Sequence, residues 1–213
     1  MAKDILILLV GLSAQLLFSI RTLVQWIASE KAKKVLSPVL FWQLSLLASF
    51  IFCMYGWLRN DFAIVLGQLI SYYIYIWNLK IENNWQQLNA GVRFLAYAMP
   101  IAALLYVCSD IQASYDKLFN QTDLPLSLIL FGSIGQLIFV FRFIYQWWYS
   151  SQIQRSVLPF KFWLISLVGA SIIFTYGIIR FDIVLMLGQS FGLVVYIRNM
   201  ILWKNEPVED QLK

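Results

Sequence analysis

Histidine is absent from this 213-residue chain, and charged residues make up only 13% of it. The first absence removes the side chain that most often acts as a general base near neutral pH and that most often binds zinc. Neither a phosphate-binding glycine loop nor a nucleophile motif occurs in the sequence. The sequence therefore predicts no metal site and no cofactor, and it offers no recognisable catalytic group for an enzyme.

The shortage of charge accompanies an excess of apolar residues, which reach 61% of the chain. Ordinary soluble domains carry about a quarter charged residues. A helix crosses a hydrocarbon core of roughly 30 Å with about 20 residues, and helices satisfy their own backbone inside lipid. The sequence predicts an all-α integral membrane protein with seven transmembrane helices. The predicted spans are 5–27, 39–58, 62–80, 91–108, 126–149, 160–179 and 182–203.

The basic residues are distributed unevenly about these spans. Four lie on the side of the N-terminus and ten on the side of the C-terminus: Lys3, Arg59, Lys117 and Arg180 against Lys31, Lys33, Lys34, Lys80, Arg93, Arg155, Lys161, Arg198, Lys204 and Lys213. The positive-inside rule then predicts a cytoplasmic C-terminus and an external N-terminus. The net charge of +5 is thus matched to anionic lipid headgroups and not to nucleic acid.

The two cysteines, Cys53 and Cys108, are isolated in the sequence. Because both fall near the same predicted membrane face, a disulfide is geometrically conceivable. The favoured interpretation is a pair of buried, unreactive thiols.

The chain repeats itself at an offset of 121 residues, which carries Gly11 onto Gly132. The matches include polar residues that a membrane interior disfavours, so apolar composition alone does not explain them, and a duplicated three-helix unit does. Further matches are Gln15/Gln136, Phe18/Phe139, Arg21/Arg142, Gln25/Gln146, Pro38/Pro159, Phe41/Phe162, Trp42/Trp163, Ser45/Ser166, Arg59/Arg180, Asp61/Asp182, Gln68/Gln189, Tyr75/Tyr196 and Asn78/Asn199.

A three-helix unit repeated directly would emerge inverted, and the extra span at 91–108 restores its direction. We therefore expect a 3+1+3 architecture with two parallel repeats related by an axis along the membrane normal. The predicted parts are a first repeat over 1–81, a linker helix and external loop over 82–124, a second repeat over 125–204 and a cytoplasmic tail over 205–213. Asp123 and Pro125 are predicted to begin the fifth helix.

A charged turn, Arg59-Asn60-Asp61, joins the second and third predicted helices, and Arg180 and Asp182 repeat it. One interpretation is structural: each arginine ends one helix and each aspartate caps the next. The other is that the two arginines meet at the pseudo-twofold axis as an anion-binding mouth that the aspartates orient. Both can hold together.

Arg21 and Arg142 lie roughly 9 Å inside the predicted cytoplasmic helix ends, and a charge within a span costs at worst about 2.5–3.5 kcal/mol. Snorkelling to the interface would relieve this cost. Alternatively, Arg21 with Gln25, and Arg142 with Gln146, present donors on one helix face at i, i+4 spacing. This second interpretation predicts a substrate path lined by the first and fifth helices.

Four amides on the third and seventh predicted helices complete the candidate site: Gln68, Asn78, Gln189 and Asn199. They suit either interhelical hydrogen bonds or the hydroxyl groups of a sugar.

The segments "SIRTLVQWIASEKAKKVLSPVLFW" and "YGWLRNDFAIVLGQ", with their second copies, resemble the lipid A biosynthesis N-terminal domain family. Members of that family stand alone in the membrane or are fused to a lipid A glycosyltransferase, so the resemblance implies envelope glycolipid work in a bacterial inner membrane. The architecture is also similar to SWEET and PQ-loop transporters. Val24 and Tyr145 stand where those transporters have a proline, which weighs against their hinge mechanics.

Three functions follow as hypotheses. The first is a transporter or flippase for a polyprenyl-phosphate glycoside used to modify lipid A or another envelope glycan. The second is a non-transporting module that binds a phosphate-bearing glycolipid and a partner glycosyltransferase. The third is a small-sugar uniporter of the SWEET type, although free sugars do not require paired arginines.

Overall fold

The computed structural model of the chain describes residues 2–60, 62–112 and 125–205. These residues contain seven helices of 20 residues or more. Their bounds are α1 Ala2–Ala32, α2 Val39–Leu58, α3 Phe62–Ile81, α4 Ala90–Ser109, α5 Leu126–Ile153, α6 Phe160–Ile179 and α7 Ile183–Lys204. Asp61, Asp123 and the predicted tail beyond residue 205 lie outside the described residues.

Proline begins three of the helices. Pro38, Pro125 and Pro159 occupy the N-cap positions of α2, α5 and α6 in extended conformations. A proline is suited to the boundary because its fixed φ and missing N–H disfavour the helix interior. The bounds of α2 and α6 coincide with the predicted spans.

Two helices are longer than predicted. α1 continues to residue 32 and α5 to residue 153, whereas the apolar runs end at residues 27 and 149. The extra turns contain Ser29 and Ser150, which are fully buried and accept hydrogen bonds from glutamines one turn earlier. Hydropathy detects the part of a helix that matches hydrocarbon, so it misses a polar turn that is held by neighbouring protein.

The predicted caps at the charged turns are confirmed where the structure describes them. Arg59 and Arg180 are the C-caps of α2 and α6, and their backbone N–H groups donate to the carbonyls of Tyr55 and Tyr176. Asp182 is the N-cap of α7, and its carboxylate accepts from the backbone N–H of Leu185 at 3.1 Å. This last contact satisfies one of the free N–H groups of the first helical turn.

Within each repeat the helices pack in sequence order, α1 on α2 on α3 and α5 on α6 on α7. The repeats meet twice, through α1 against α7 and through α3 against α5. These two interfaces are equivalent, because the 121-residue offset maps α1 onto α5 and α3 onto α7. Among the described residues, α4 takes part in none of the extensive helix contacts.

Two equivalent glycines let α1 and α5 approach their neighbours closely. A Cβ atom at Gly11 would lie 2.6 Å from the Tyr55 ring on α2, and one at Gly132 would lie 2.6 Å from the Tyr176 ring on α6. A side chain at either glycine would therefore force the tyrosine ring to shift, because Cβ atoms do not approach ring atoms this closely.

Four helices of the described chain are long and apolar enough to cross a membrane: α1 over Asp4–Ala32, α2, α6 and α7. The exterior carries many large apolar side chains, including Leu16, Phe94 and Leu105. Such a surface is compatible with lipid. The all-α prediction is confirmed, and the helices fit a membrane protein.

Both cysteines are free thiols, which confirms the preference over a disulfide. Cys53 is partly buried. The expected burial is wrong for Cys108, which is exposed because α4 packs so little against the other helices.

Candidate functional site

The two repeated arginines lie in the interior, between the repeats. Arg21 is 5% exposed and Arg142 is 2% exposed. Arg21 donates to the hydroxyls of Ser45 on α2, at 2.7 Å, and Tyr75 on α3, at 3.2 Å. Arg142 donates to Tyr196 on α7 at 3.1 Å. Because both guanidiniums bond inward, the snorkelling interpretation is wrong.

Aromatic rings surround each guanidinium in a repeated pattern. The Cζ atom of Arg21 lies 4.5 Å from the Phe18 ring centroid, and that of Arg142 lies 3.5 Å from the centroid of its equivalent, Phe139. Rings attract cations electrostatically without neutralising them. The remaining rings near the two guanidiniums are Phe41, Tyr75 and Phe143 for Arg21, and Phe143, Phe162 and Tyr196 for Arg142.

A cavity between the repeats joins the two arginines to the amides of Gln68 and Gln189. It leaves about 50 Å³ for the centres of water molecules, which is room for a few waters. The other residues that line it are Gln15, Phe18, Ser19, Thr22, Phe52, Ser71, Tyr75, Gln136, Phe139, Val140, Phe143, Leu185, Gly188, Phe191, Gly192 and Tyr196.

Two properties set the polar groups of this cavity apart from the paired amides and ion pairs elsewhere in the bundle. None of the described residues that line it is acidic, so its two positive charges have no carboxylate partner there. In addition, the Nε atoms of Arg21 and Arg142 and the Oε1 atoms of Gln68 and Gln189 are buried without a hydrogen-bond partner. Groups of this kind carry a large desolvation penalty until something binds them.

The other predicted amides pair with each other across the repeat interfaces. Gln25 on α1 donates to Asn199 on α7 at 2.8 Å, and Gln146 on α5 donates to Asn78 on α3 at 2.9 Å. All four residues are fully buried. Their side chains are engaged with protein groups, and their assignment to substrate binding stays a prediction.

An ion pair joins the repeats at the end of the bundle that carries the α2–α3 and α6–α7 turns, which we call the turn end. Arg59 donates to the Asp182 carboxylate at 3.2 Å, and the Tyr55 hydroxyl donates to the same oxygen at 3.4 Å. Arg180 donates to Tyr176 on its own helix at 3.0 Å. Asp182 thus pairs with the arginine of the other repeat, and the anion-binding mouth of Arg59 and Arg180 stays a prediction.

The opposite end, which carries the α1–α2 and α5–α6 loops and is called the loop end, has contacts that sequence reasoning missed. Arg198 on α7 forms two hydrogen bonds to the Glu30 carboxylate on α1, the one from Nη2 at 2.9 Å. Ser37 donates to the backbone carbonyl of Ser156. The ion pair has no counterpart in the other repeat, where Ser151 and Trp77 stand at the equivalent positions, so no repeat signal marks it.

The described part of the chain is helical, with lipid-compatible helices, an apolar exterior and a polar centre, and it fits the class of helical membrane proteins. More particularly, it belongs to the lipid A biosynthesis N-terminal domain family, whose profile it matches twice, at residues 10–80 and 131–201. The resemblance stated from the sequence is thereby confirmed. No solved structure matches the chain.

Several relatives are chlamydial proteins. The lipid-A-disaccharide synthase of Chlamydia pneumoniae is 30% identical over 201 residues, which cover 92% of this chain and 33% of the relative. The lipid-A-disaccharide synthase of Chlamydia felis (strain Fe/C-56) is 27% identical over 205 residues, which cover 91% of this chain and 32% of the relative. The chain thus spans about a third of the length of these relatives.

Proposed function

We propose that this protein moves a phosphate-bearing glycolipid, of the polyprenyl-phosphate glycoside type, across a bacterial inner membrane for lipid A or envelope glycan modification. The observation that carries the proposal is the cavity between the repeats, which holds the buried Arg21 and Arg142 and has no acidic residue among the described residues of its lining. The protein acts in this proposal as a transporter and not as an enzyme.

The chemistry of the cavity supports this class of substrate. Two guanidiniums buried without a counter-ion are unfavourable in a low-dielectric interior, and a bound anion offsets that cost. Guanidinium is well shaped for phosphate oxygens, which accept two parallel hydrogen bonds. The unpartnered carbonyl oxygens of Gln68 and Gln189 are acceptors for hydroxyl groups, which a sugar supplies.

The proposed architecture is 3+1+3, with all seven helices crossing the membrane and α4 as the linker between parallel repeats. The turn end faces outward and the loop end faces the cytoplasm, with the N-terminus outside, because the loop end carries most of the cations. The repeats rock against each other to expose the cavity alternately, as repeat-built transporters do. The lipid tail stays in the membrane throughout.

The contacts between repeats fit a closed state of such a cycle. Arg59 and Asp182 join them at the turn end, and Glu30 and Arg198 join them at the loop end. The cavity has room for a few waters and not for a sugar headgroup, so the repeats must separate before a substrate enters.

The test is headgroup translocation in proteoliposomes that contain a fluorescent polyprenyl-phosphate glycoside, with quenching of the outer leaflet as the readout. We expect Arg21→Ala with Arg142→Ala to abolish protein-dependent translocation. Arg93→Ala, at the start of α4 and remote from the cavity, is the matched control and should translocate as the wild type. Unchanged translocation in the double variant would overturn the proposal.

A second candidate function rests on the lengths of the relatives. This chain corresponds to a third of proteins named lipid-A-disaccharide synthase, so a membrane module of this kind can work beside a glycosyltransferase. In that function it would bind the lipid and present it without moving it. Crosslinking in cells should then recover a glycosyltransferase, and a deletion strain should lose glycosyl transfer. Failure of both results counts against presentation.

A further inference from the structure

The two copies differ at the position next to the buried arginines. Thr22 follows Arg21, and Phe143 follows Arg142. The Phe143 ring centroid lies 4.5 Å from the Cζ atom of Arg142 and 5.6 Å from that of Arg21. A single phenylalanine therefore packs beside both guanidiniums, and the other repeat has no ring to match it.

The surroundings of Phe143 show what the missing ring would touch. Phe143 packs edge-on against Tyr75, at 4.9 Å between centroids, and against Phe162, at 5.4 Å. In the other copy, Tyr196 is equivalent to Tyr75 and Phe41 is equivalent to Phe162. The rings of Tyr196 and Phe41 line a small void, and Phe143 and Phe162 line it as well. The void thus lies between the two copies, with the Phe143 ring as part of its wall.

Thr22 borders this void, which leaves about 10 Å³ for the centre of a water molecule, the space of one water or one oxyanion oxygen. The void is also lined by Arg21, Arg142 and Trp163. All three are at least nine-tenths buried, and the Nε atoms of both arginines and the Nε1 atom of Trp163 have no hydrogen-bond partner. The unpartnered polar atoms around the void are thus N–H donors.

We infer that the void beside Thr22 is a single subsite for a phosphate oxygen, with Thr22 on one side of it and the Phe143 ring at the equivalent position on the other. One chain then holds one phosphate, in a void that both copies line, although it carries two equivalent arginines. The inference rests on the proposed function only for the source of the phosphate, since the headgroup of a lipid and a free phosphate ion present the same oxygens to these donors.

The subsite is tested by equilibrium dialysis of the full chain in detergent with ³²P-labelled citronellyl phosphate. The wild type should bind one probe molecule per chain. Thr22→Phe should weaken binding by about tenfold or more, because the added ring occupies the void. Adding Phe143→Thr to that variant removes the equivalent ring on the other side of the void and should restore the affinity to within about threefold of the wild type.

Ile20→Phe adds the same ring to the exposed face of α1, where Ile20 is 38% exposed, and should bind as the wild type. Thr22→Leu replaces Thr22→Phe if the larger side chain prevents folding, and it too should weaken binding. Excess inorganic phosphate that displaces the probe identifies a site for the free ion, and its failure to do so identifies a lipid headgroup site.

Two results overturn the subsite while leaving the proposed function in place. One is that Thr22→Phe binds the probe with wild-type affinity. The other is that Thr22→Phe with Phe143→Thr binds it as weakly as Thr22→Phe alone, although the two variants have the same melting temperature. If the wild type itself binds no probe, the proposed function and the subsite both fail.

Discussion

The side-chain amides of Gln25 and Asn199 exchange two hydrogen bonds across the contact between α1 and α7, at N···O distances of 2.8 and 3.2 Å. Gln146 and Asn78 make the same exchange between α5 and α3, at 2.9 and 3.1 Å. The repeats are therefore fastened at equivalent positions on both sides of the axis. Any motion that separates α1 from α7 at this level must first break a fully buried amide pair.

Asn199→Ala should lower the free energy of unfolding by about 1–3 kcal/mol, because the buried Gln25 amide loses its hydrogen-bond partner on α7. SDS-driven unfolding in mixed micelles measures the change. Replacing both partners by leucine should recover part of the loss, since neither amide is then left unsatisfied. If the double leucine variant loses as much stability as Gln25→Leu and Asn199→Leu lose together, the two amides are not coupled.

The arginine pair should limit stability when no ligand is bound. Arg21→Gln with Arg142→Gln keeps a donor at each position but removes two buried charges that no lining carboxylate offsets. We expect the free energy of unfolding to rise by about 1–3 kcal/mol, measured by the same unfolding assay, while binding of citronellyl phosphate is lost.

The single variants Arg21→Gln and Arg142→Gln distinguish repulsion between the two guanidiniums from the cost of burying each charge. If the two charges repel each other, either single replacement supplies most of the gain and the second adds little. A fall in stability in the double variant would instead mean that the arginines serve the fold through Ser45, Tyr75 and Tyr196.

Asp182 combines a helix cap with the ion pair at the turn end, and two substitutions separate these roles. Asp182→Asn keeps the cap of α7 and should lower stability by only about 0.2–1 kcal/mol, because the Arg59 side chain is partly exposed. Asp182→Ala also removes the cap and should lose about 1 kcal/mol more. The difference between wild type and Asp182→Asn should shrink at high salt, and equal losses in the two variants would argue against an independent cap.

Gly11→Ala and Gly132→Ala should destabilise the protein to similar extents, about 1–3 kcal/mol each, because the new methyl group meets a tyrosine ring. Thermal melting in detergent reports the effect. Gly91→Ala is the control: it lies in the exposed first turn of α4, where an added Cβ would meet the Asn89 side-chain oxygen at 3.2 Å. Similar melting temperatures for Gly91→Ala and Gly132→Ala would show that the tyrosine ring moves away from the new methyl group at little cost, which contradicts the prediction.

The sequence was enough to predict helix positions, because span length and apolar runs are set by the thickness of hydrocarbon. It also singled out Arg21, Gln25 and Asn78 as polar residues that occur twice. Duplication identifies a polar residue as a candidate, but it does not show whether that residue contacts its partner in the same repeat or in the other one.

That choice depends on packing between the repeats. Arg21 bonds Tyr75 of its own repeat, whereas Gln25 bonds Asn199 of the other. Both partners are present in each copy, so the sequence contains no preference between them. Likewise Arg59 pairs with Asp182, 123 residues away, through a contact that only the assembled bundle creates.

The sparse packing of α4 has a consequence for how the chain can be divided. Among the described residues, every extensive helix interface lies within a repeat or between α1 and α7 or α3 and α5, so α4 links the repeats in sequence and adds little packing between them. Two separate polypeptides, one ending after α4 and the other beginning at α5, retain all of those interfaces. Such halves, co-expressed, should associate into a heterodimer with an intact arginine cavity, and a single gene could split in two at this boundary without loss of its working surfaces.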